Sequence, residues 1–74
     1  MNVGILGAGN IAGVMAKTIN AMEDATLYAI GSRNYEKAKA FAREYSIGRA
    51  YGSYEELAED DNIDVIYSAS PHSH

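Results

Sequence analysis

The 74-residue chain contains no cysteine and no tryptophan, and Pro71 is its one proline. Without cysteine there is neither a disulfide staple nor a thiolate metal site, so packing or a partner must hold the chain together. Basic residues are scarce as well: six Lys and Arg against ten Asp and Glu give a formal net charge of −4. A field of that sign does not hold a nucleic-acid backbone, so no nucleic-acid partner is expected. No apolar run approaches the ~20 residues that cross a bilayer, and the start lacks the basic region and cleavage pattern of a signal peptide. A soluble, cytoplasmic protein with no membrane partner is the expectation. What the chain does have is a composition of 47% hydrophobic and 22% charged residues, which belongs to globular chains. Its length falls short of the ~100–150 residues usual for a complete domain, so a piece of a larger domain is expected.

Asn2-Val3-Gly4-Ile5-Leu6 is a short, mostly apolar run that stops at Gly7, the pattern of a buried strand in a parallel sheet. From Asn10 onward, Ile11, Val14, Met15, Thr18, Ile19 and Met22 recur at spacings of three and four, which predicts the buried face of a helix. Thr26-Leu27-Tyr28-Ala29-Ile30-Gly31 reads as a second strand after the polar turn Glu23-Asp24. Asn34 is placed to cap a second helix with Ala38, Phe41, Ala42 and Tyr45 buried, and Gly48 sits just past its end, where glycine tolerates the left-handed conformation. Arg49-Ala50-Tyr51 is a short third strand. Ser53-Tyr54-Glu55-Glu56 fits a capping box, Ser53 and Glu56 each satisfying the other's backbone N–H, ahead of a short helix through Leu57 and Ala58. Asp60-Asp61-Asn62 is a turn, and residues 63–69 form the fourth strand. Strands alternating with helices, over connections too long for hairpins, predict an α/β fold: a doubly wound parallel sheet in the order 3-2-1-4, the Rossmann arrangement. Such a sheet normally continues with a fifth and a sixth strand, and this sequence stops after the fourth.

Gly7-Ala8-Gly9-Asn10-Ile11-Ala12 fits G-x-G-x-x-A between a strand and a helix, the context a dinucleotide site requires. Gly7 would make the tight turn, Gly9 would let a pyrophosphate approach the backbone, and Ala12 would let the helix pack closely on the strand. The phosphates would lie on the helix N-terminus, where free N–H groups and the helix dipole favour negative charge. The competing reading is that the glycines serve only a tight turn. Between Leu27 and Tyr35 there is no acidic residue to bind a ribose 2′-hydroxyl; Ser32, Arg33 and Asn34 stand there instead. A hydroxyl, a guanidinium and an amide suit a 2′-phosphate, so NADP is the preferred cofactor, with NAD the alternative. The plainer account makes Arg33 a solvated charge and Asn34 a helix cap.

Ser70-Pro71-His72-Ser73-His74 follows the fourth strand, which in the order 3-2-1-4 lies beside the first and flanks the same crevice as the glycine loop. His72 could contact the nicotinamide ribose or move a proton, or both histidines could be flexible terminal residues. His72 and His74 alone lack the remaining ligands of a metal site, so no metal is expected. The six tyrosines fit packing positions on helix faces and in strands. Asp60, Asp61 and Asp64 match no calcium loop and are expected to be solvated. No residue is singled out as the catalytic acid or base.

Taken together, Val3-Gly4-Ile5-Leu6-Gly7-Ala8-Gly9-Asn10-Ile11-Ala12, Gly31-Ser32-Arg33 with Glu36-Lys37-Ala38 and Phe41-Ala42, Tyr51-Gly52-Ser53-Tyr54-Glu55-Glu56-Leu57, and Ile63-Asp64-Val65-Ile66-Tyr67 leading to Pro71-His72-Ser73-His74 resemble the Gfo/Idh/MocA family of glucose-fructose oxidoreductases and inositol dehydrogenases. The Pro-His-Ser ending is similar to the branch of dihydrodiol dehydrogenases and NADP-dependent sugar 1-dehydrogenases. The resemblance implies that Gly7, Ala8, Gly9, Asn10 and Ile11 belong to the pyrophosphate loop, that Ser32 and Arg33 meet the adenosine end, and that Ser70, Pro71 and His72 meet the nicotinamide side. It implies hydride transfer between NADP(H) and a sugar, polyol or dihydrodiol, and a homo-oligomer formed through a C-terminal substrate domain. Residues 1–74 would then be the N-terminal part of the dinucleotide-binding domain, without the substrate domain and the Glu-Lys-Pro segment that family members carry. The family's second histidine commonly follows the proline at a distance of four, whereas this chain ends at three. A non-catalytic nucleotide-sensing module on the same fold is the alternative.

Overall fold

The computed structural model describes residues 1–69. Strand β1 (Asn2–Leu6) leads through the glycine loop into α1 (Asn10–Asn20), followed by β2 (Thr26–Gly31), α2 (Tyr35–Tyr45), β3 (Arg49–Tyr51), α3 (Tyr54–Ala58) and β4 (Val65–Ser68). All strand pairs are parallel, and the sheet order is β3-β2-β1-β4, as the alternation predicts. Helices α1 and α2 cover one face, where Ala12, Ala16, Ile19, Ala38, Phe41 and Ala42 pack with Val3, Ile5, Leu27 and Ile30. The opposite face is covered by α3, whose fully buried Leu57 rests on Gly4 and Gly31. Helices on both faces of one parallel sheet make the fold doubly wound.

Tyr28 is the extra residue of a β-bulge: Val3 pairs with Leu27 and Gly4 with Ala29. The bulge shifts the pleat, so Leu27 and Ile30, three apart, both join the core beneath α1 and α2. Ala29 and Gly31 keep the α3 side low, and a Cβ built on Gly31 would lie 3.0 Å from Leu57 Cδ2 and 3.2 Å from Leu57 Cβ. Close docking of α3 therefore depends on a glycine at that position.

The buried face of α1 differs from the expected one. Ala12, Gly13, Ala16 and Ile19 face inward, while Ile11 and Val14 are 48% and 65% exposed and Met22 is also exposed. The helix begins directly at the glycine loop, which starts its first turn low over the sheet, where only small side chains fit. Ile11 and Val14 are thereby turned outward, while Ile19 of the expected face is buried and Met15 packs partly against the core. On α2 the expected stripe is present, with Ala38, Phe41 and Ala42 buried and the partly buried Tyr45 ring tilted at 40° to that of Phe41, 4.6 Å between centroids.

The end of α2 also departs from expectation. Ser46, not Gly48, takes the left-handed conformation, with φ 59° and ψ 43°. At α3 the Ser53 hydroxyl accepts the Glu56 N–H at 3.2 Å, but the Glu56 carboxylate reaches past Ser53 to the N–H of Gly52 at 3.1 Å. The box is thus closed one residue upstream of its usual partner. β4 is Val65–Ser68 rather than residues 63–69; at its mouth the Asn2 N–H is taken by the Asp64 side chain, Oδ2 accepting it at 2.7 Å, instead of by a strand carbonyl.

Candidate functional site

The C-terminal ends of β1, β2 and β4 converge on the glycine loop. Gly7 has φ +110°, a conformation L side chains rarely adopt, and its N–H donates to the Gly31 carbonyl at 2.7 Å. On its other side a Gly7 Cβ would meet the Ala69 backbone at 3.4 Å, and Ala69 N–H donates to the Leu6 carbonyl at 2.8 Å. The turn is thereby fixed between the ends of β2 and β4. Ala8 is partly buried against the core, Ala12 is fully buried, and both hold the loop down on the sheet.

Gly9, Asn10 and Ile11 are exposed, and a Cβ built on Gly9 would meet nothing within 4 Å. The first bond within α1 runs from the Gly13 N–H to the Gly9 carbonyl. No side chain caps this helix, and no acidic residue lies in its first turn, whereas Asn34 caps α2 and Ser53 caps α3. The N–H groups of Asn10, Ile11 and Ala12 precede any intrahelical acceptor and have no hydrogen-bond partner among the described residues. Open space before Gly9 and unused donors behind it fit a phosphate group, which would accept from those N–H groups and sit at the positive end of the helix dipole.

Beyond the Gly7–Gly31 bond lies the end of β2. Ser32 is nearly buried; its N–H donates to the Tyr51 carbonyl at 3.0 Å, and its hydroxyl accepts the Asn34 N–H at 3.2 Å. Asn34 Oδ1 in turn accepts from the N–H groups of Glu36 and Lys37, so this side chain is engaged as the α2 cap. Arg33 between them is exposed, and no hydrogen bond or ion pair among the described residues holds its guanidinium. Gly7, Ala8, Gly9, Asn10, Ile11, Ser32 and Arg33 are thus brought to one end of the sheet. Ser70, Pro71 and His72 follow directly after Ala69 and lie outside the described residues. No group of three or more His, Asp or Glu among the described residues is arranged to hold a metal ion, and no described helix is long and apolar enough to cross a membrane.

Sequence patterning missed a polar cluster behind β2 and β3. Asp60 is not solvated: its side chain is 6% exposed, its Oδ2 accepts from the Tyr51 hydroxyl and its Oδ1 from the Asn62 N–H at 2.9 Å. The Tyr51 hydroxyl, followed by the Asn62 N–H, holds this carboxyl below the usual carboxylate value. The same bond, with burial, raises the Tyr51 phenol. Tyr28 on the bulge accepts from Arg49 Nε at 3.0 Å and from Asn62 Nδ2 at 3.2 Å. Tyr28 and Tyr51 therefore act through their hydroxyls as well as by packing, and Tyr35, Tyr54 and Tyr67 are exposed. The two tyrosines stand 9 to 34 residues from their partners in sequence, so no local spacing announces these bonds.

The chain is 48% identical over 71 residues to a trans-1,2-dihydrobenzene-1,2-diol dehydrogenase of Xenopus tropicalis; that stretch is 93% of this chain and 22% of the relative. The chain thus spans about a fifth of the length of the curated relatives it matches. Among solved structures it is similar to a variant of a 3-ketoreductase from Actinomadura kijaniata in complex with TDP-benzene and NADP. The TM-score there is 0.89 at 29% identity, covering 96% of this chain and 23% of that one. The fold is also that of a myo-inositol dehydrogenase from Lactobacillus casei in complex with NAD(H) and myo-inositol, at TM-score 0.84 and 23% identity, covering 92% of this chain and 21% of that one. Residues 1–74 match the Gfo/Idh/MocA profile, an oxidoreductase family with an NAD-binding Rossmann fold. A parallel sheet in the order 3-2-1-4, with a glycine turn at its centre and this match along its whole length, places the chain in the Gfo/Idh/MocA oxidoreductase family.

Proposed function

We propose that residues 1–74 form the N-terminal part of the dinucleotide-binding domain of an oxidoreductase that prefers NADP(H) and acts on a dihydrodiol, sugar or polyol. The observation that carries the cofactor reading is the uncapped start of α1 behind an open Gly9. In this reading the N–H groups of Asn10 and Ile11 hold the pyrophosphate, Gly7 and Ala8 fix the turn, and Ser32 and Arg33 take the 2′-phosphate. Ser70, Pro71 and His72 border the nicotinamide. The bound nicotinamide supplies the hydride acceptor or donor; the chain's own residues bind and orient it.

Preference for NADP over NAD is supported by chemistry at the end of β2. An unengaged guanidinium suits a dianionic phosphate, and the stretch from Leu27 to Tyr35 offers no carboxylate to a 2′-hydroxyl. The substrate class is supported by the relatives, since the Xenopus tropicalis enzyme is a dihydrodiol dehydrogenase. A cytoplasmic, homo-oligomeric enzyme is part of the same proposal. Titrating the chain with NADPH and with NADH by nicotinamide fluorescence tests it: tighter NADPH binding that Arg33→Ala abolishes is the expected result. Binding of neither nucleotide by folded protein would overturn the cofactor reading, and an Arg33→Ala variant with unchanged NADPH affinity would remove Arg33 from it.

A further inference from the structure

Ser32 and Arg33 stand where β2 ends, and the backbone there is held from the side by a weak element. β3 has three residues, is the outer strand of the described sheet, and pairs Tyr51 with Gly31. The Tyr51 carbonyl is the acceptor for the Ser32 N–H. A three-residue edge strand does not fix its last carbonyl by its ladder alone. Both of its ends are instead tied by side chains: Arg49 to the Tyr28 hydroxyl, and the Tyr51 hydroxyl to Asp60. Asp60 is itself immobilised at the exit of α3, with its N–H on the Leu57 carbonyl at 3.3 Å and its Oδ1 on the Asn62 N–H. A continuous path runs from the Asp60 carboxylate through the Tyr51 ring and carbonyl to Ser32.

We propose that Asp60, acting through Tyr51, is a positioning residue for the Ser32-Arg33 segment and so sets the discrimination between NADPH and NADH. The inference rests on the cofactor reading above. The two nucleotides differ only in the 2′-phosphate, so a displaced Ser32-Arg33 segment alters their ratio. The pyrophosphate, common to both, would lie on the Asn10 and Ile11 N–H groups, at the loop that the Ala69 N–H on the Leu6 carbonyl ties to β4 independently of Tyr51.

The test compares wild-type chain with Tyr51→Phe, Asp60→Ala and Asp60→Asn, with Asp61→Ala as an exposed neighbouring control, each titrated with NADPH and NADH after circular dichroism confirms folding. Tyr51→Phe and Asp60→Ala are expected to lower the NADPH-to-NADH affinity ratio by about threefold to tenfold, the worth of one hydrogen bond. Asp60→Asn, which keeps an acceptor for the phenol, should lie between Asp60→Ala and wild type, and Asp61→Ala should match wild type. Folded variants with an unchanged ratio, or with both affinities falling equally, would overturn the positioning role. If Asp60→Ala does not fold, Tyr51→Phe and Asp60→Asn decide by the same criterion. Wild-type chain that binds neither nucleotide would instead overturn the cofactor reading, and the proposal with it.

Discussion

Leu57→Ala tests whether the α3 face of the sheet is built as described. Leu57 is 0% exposed and is the one buried residue of a five-residue helix, too short to stand on its own propensity. Removing its three outer carbons forfeits about 0.8 kcal/mol for each in transfer free energy, about 2.4 kcal/mol together. Beneath them lie Gly4 and Gly31, which have no side chain to move into the space, so a cavity term of about 1 kcal/mol is added. The expected loss is about 3 kcal/mol, against about 4–11 kcal/mol for a chain of this length. At a urea m-value of about 1 kcal/mol/M the midpoint should fall by about 3 M, read by circular dichroism. Gly31→Ala should destabilise wild type, because its Cβ would lie 3.0 Å from Leu57 Cδ2. In the Leu57→Ala background only the Leu57 Cβ contact at 3.2 Å remains, so the same change should cost less by about 1 kcal/mol or more. A Leu57→Ala loss under about 1 kcal/mol, or strict additivity in the double variant, would refute the claim that Leu57 seated on two glycines docks α3.

Ser46→Gly should stabilise the chain by about 1 kcal/mol in urea melts, since it relieves a non-glycine residue of the left-handed conformation, whereas Gly48→Ala should be tolerated because nothing lies within 4 Å of its Cβ. Asn34→Ala should cost about 1 kcal/mol by loss of the α2 cap, and Asn34→Asp, which keeps an acceptor, much less; equal losses would show that the cap bonds to Glu36 and Lys37 are not what matters. A Gly13 Cβ would lie 2.9 Å from the Tyr45 hydroxyl oxygen, so Gly13→Ala should stabilise more in a Tyr45→Phe background than in wild type, approaching the ~1 kcal/mol helix-propensity difference. Asp60 has a lowered carboxyl pKa in the folded chain, so its stabilisation is present above the unfolded value near ~4 and disappears as pH falls through the folded value. Urea midpoints of wild type and Asp60→Asn should therefore converge on acidification below about pH 4, and a constant gap would contradict the depressed pKa.

Strand order, helix count and the glycine turn were legible because each rests on a local rule: apolar runs of strand length, Asn34 and Ser53 at helix starts, and small residues where the backbone must turn. The α1 face was legible only in part. Ile19 and Met15 of the expected stripe turn toward the core, but Ile11 and Val14 are exposed, and the rest of the inward face consists of Ala12, Gly13 and Ala16. Hydrophobicity predicts burial when side-chain size is unconstrained, but close approach of a helix to a sheet reverses the choice and selects small residues. The motif contains that information, since Ala12 is its third small position and Ala16 lies one turn further on the same side. Reading the helix phase from Ala12 places Ala16 and Ile19 inward.

The polar cluster was illegible for a different reason. Asp60 in a run of acidic residues looks solvated, and only tertiary structure brings it to the Tyr51 hydroxyl and brings Tyr28, extruded by the bulge, to Arg49 and Asn62. Such a cluster is not required for burial, since hydrophobic residues could close the same edge without the cost of desolvating a carboxylate. Hydrogen bonds provide direction that apolar contacts do not: they fix one rotation of the Tyr51 ring and one position of its carbonyl on a strand otherwise free to fray. A carboxylate that holds the ring of Tyr51, whose carbonyl bonds the Ser32 N–H, is therefore better explained by precision at the Ser32-Arg33 segment than by stability. The two accounts separate in the variants, because a stability role lowers the urea midpoint and leaves the ratio of nucleotide affinities unchanged, whereas a positioning role changes that ratio in folded protein.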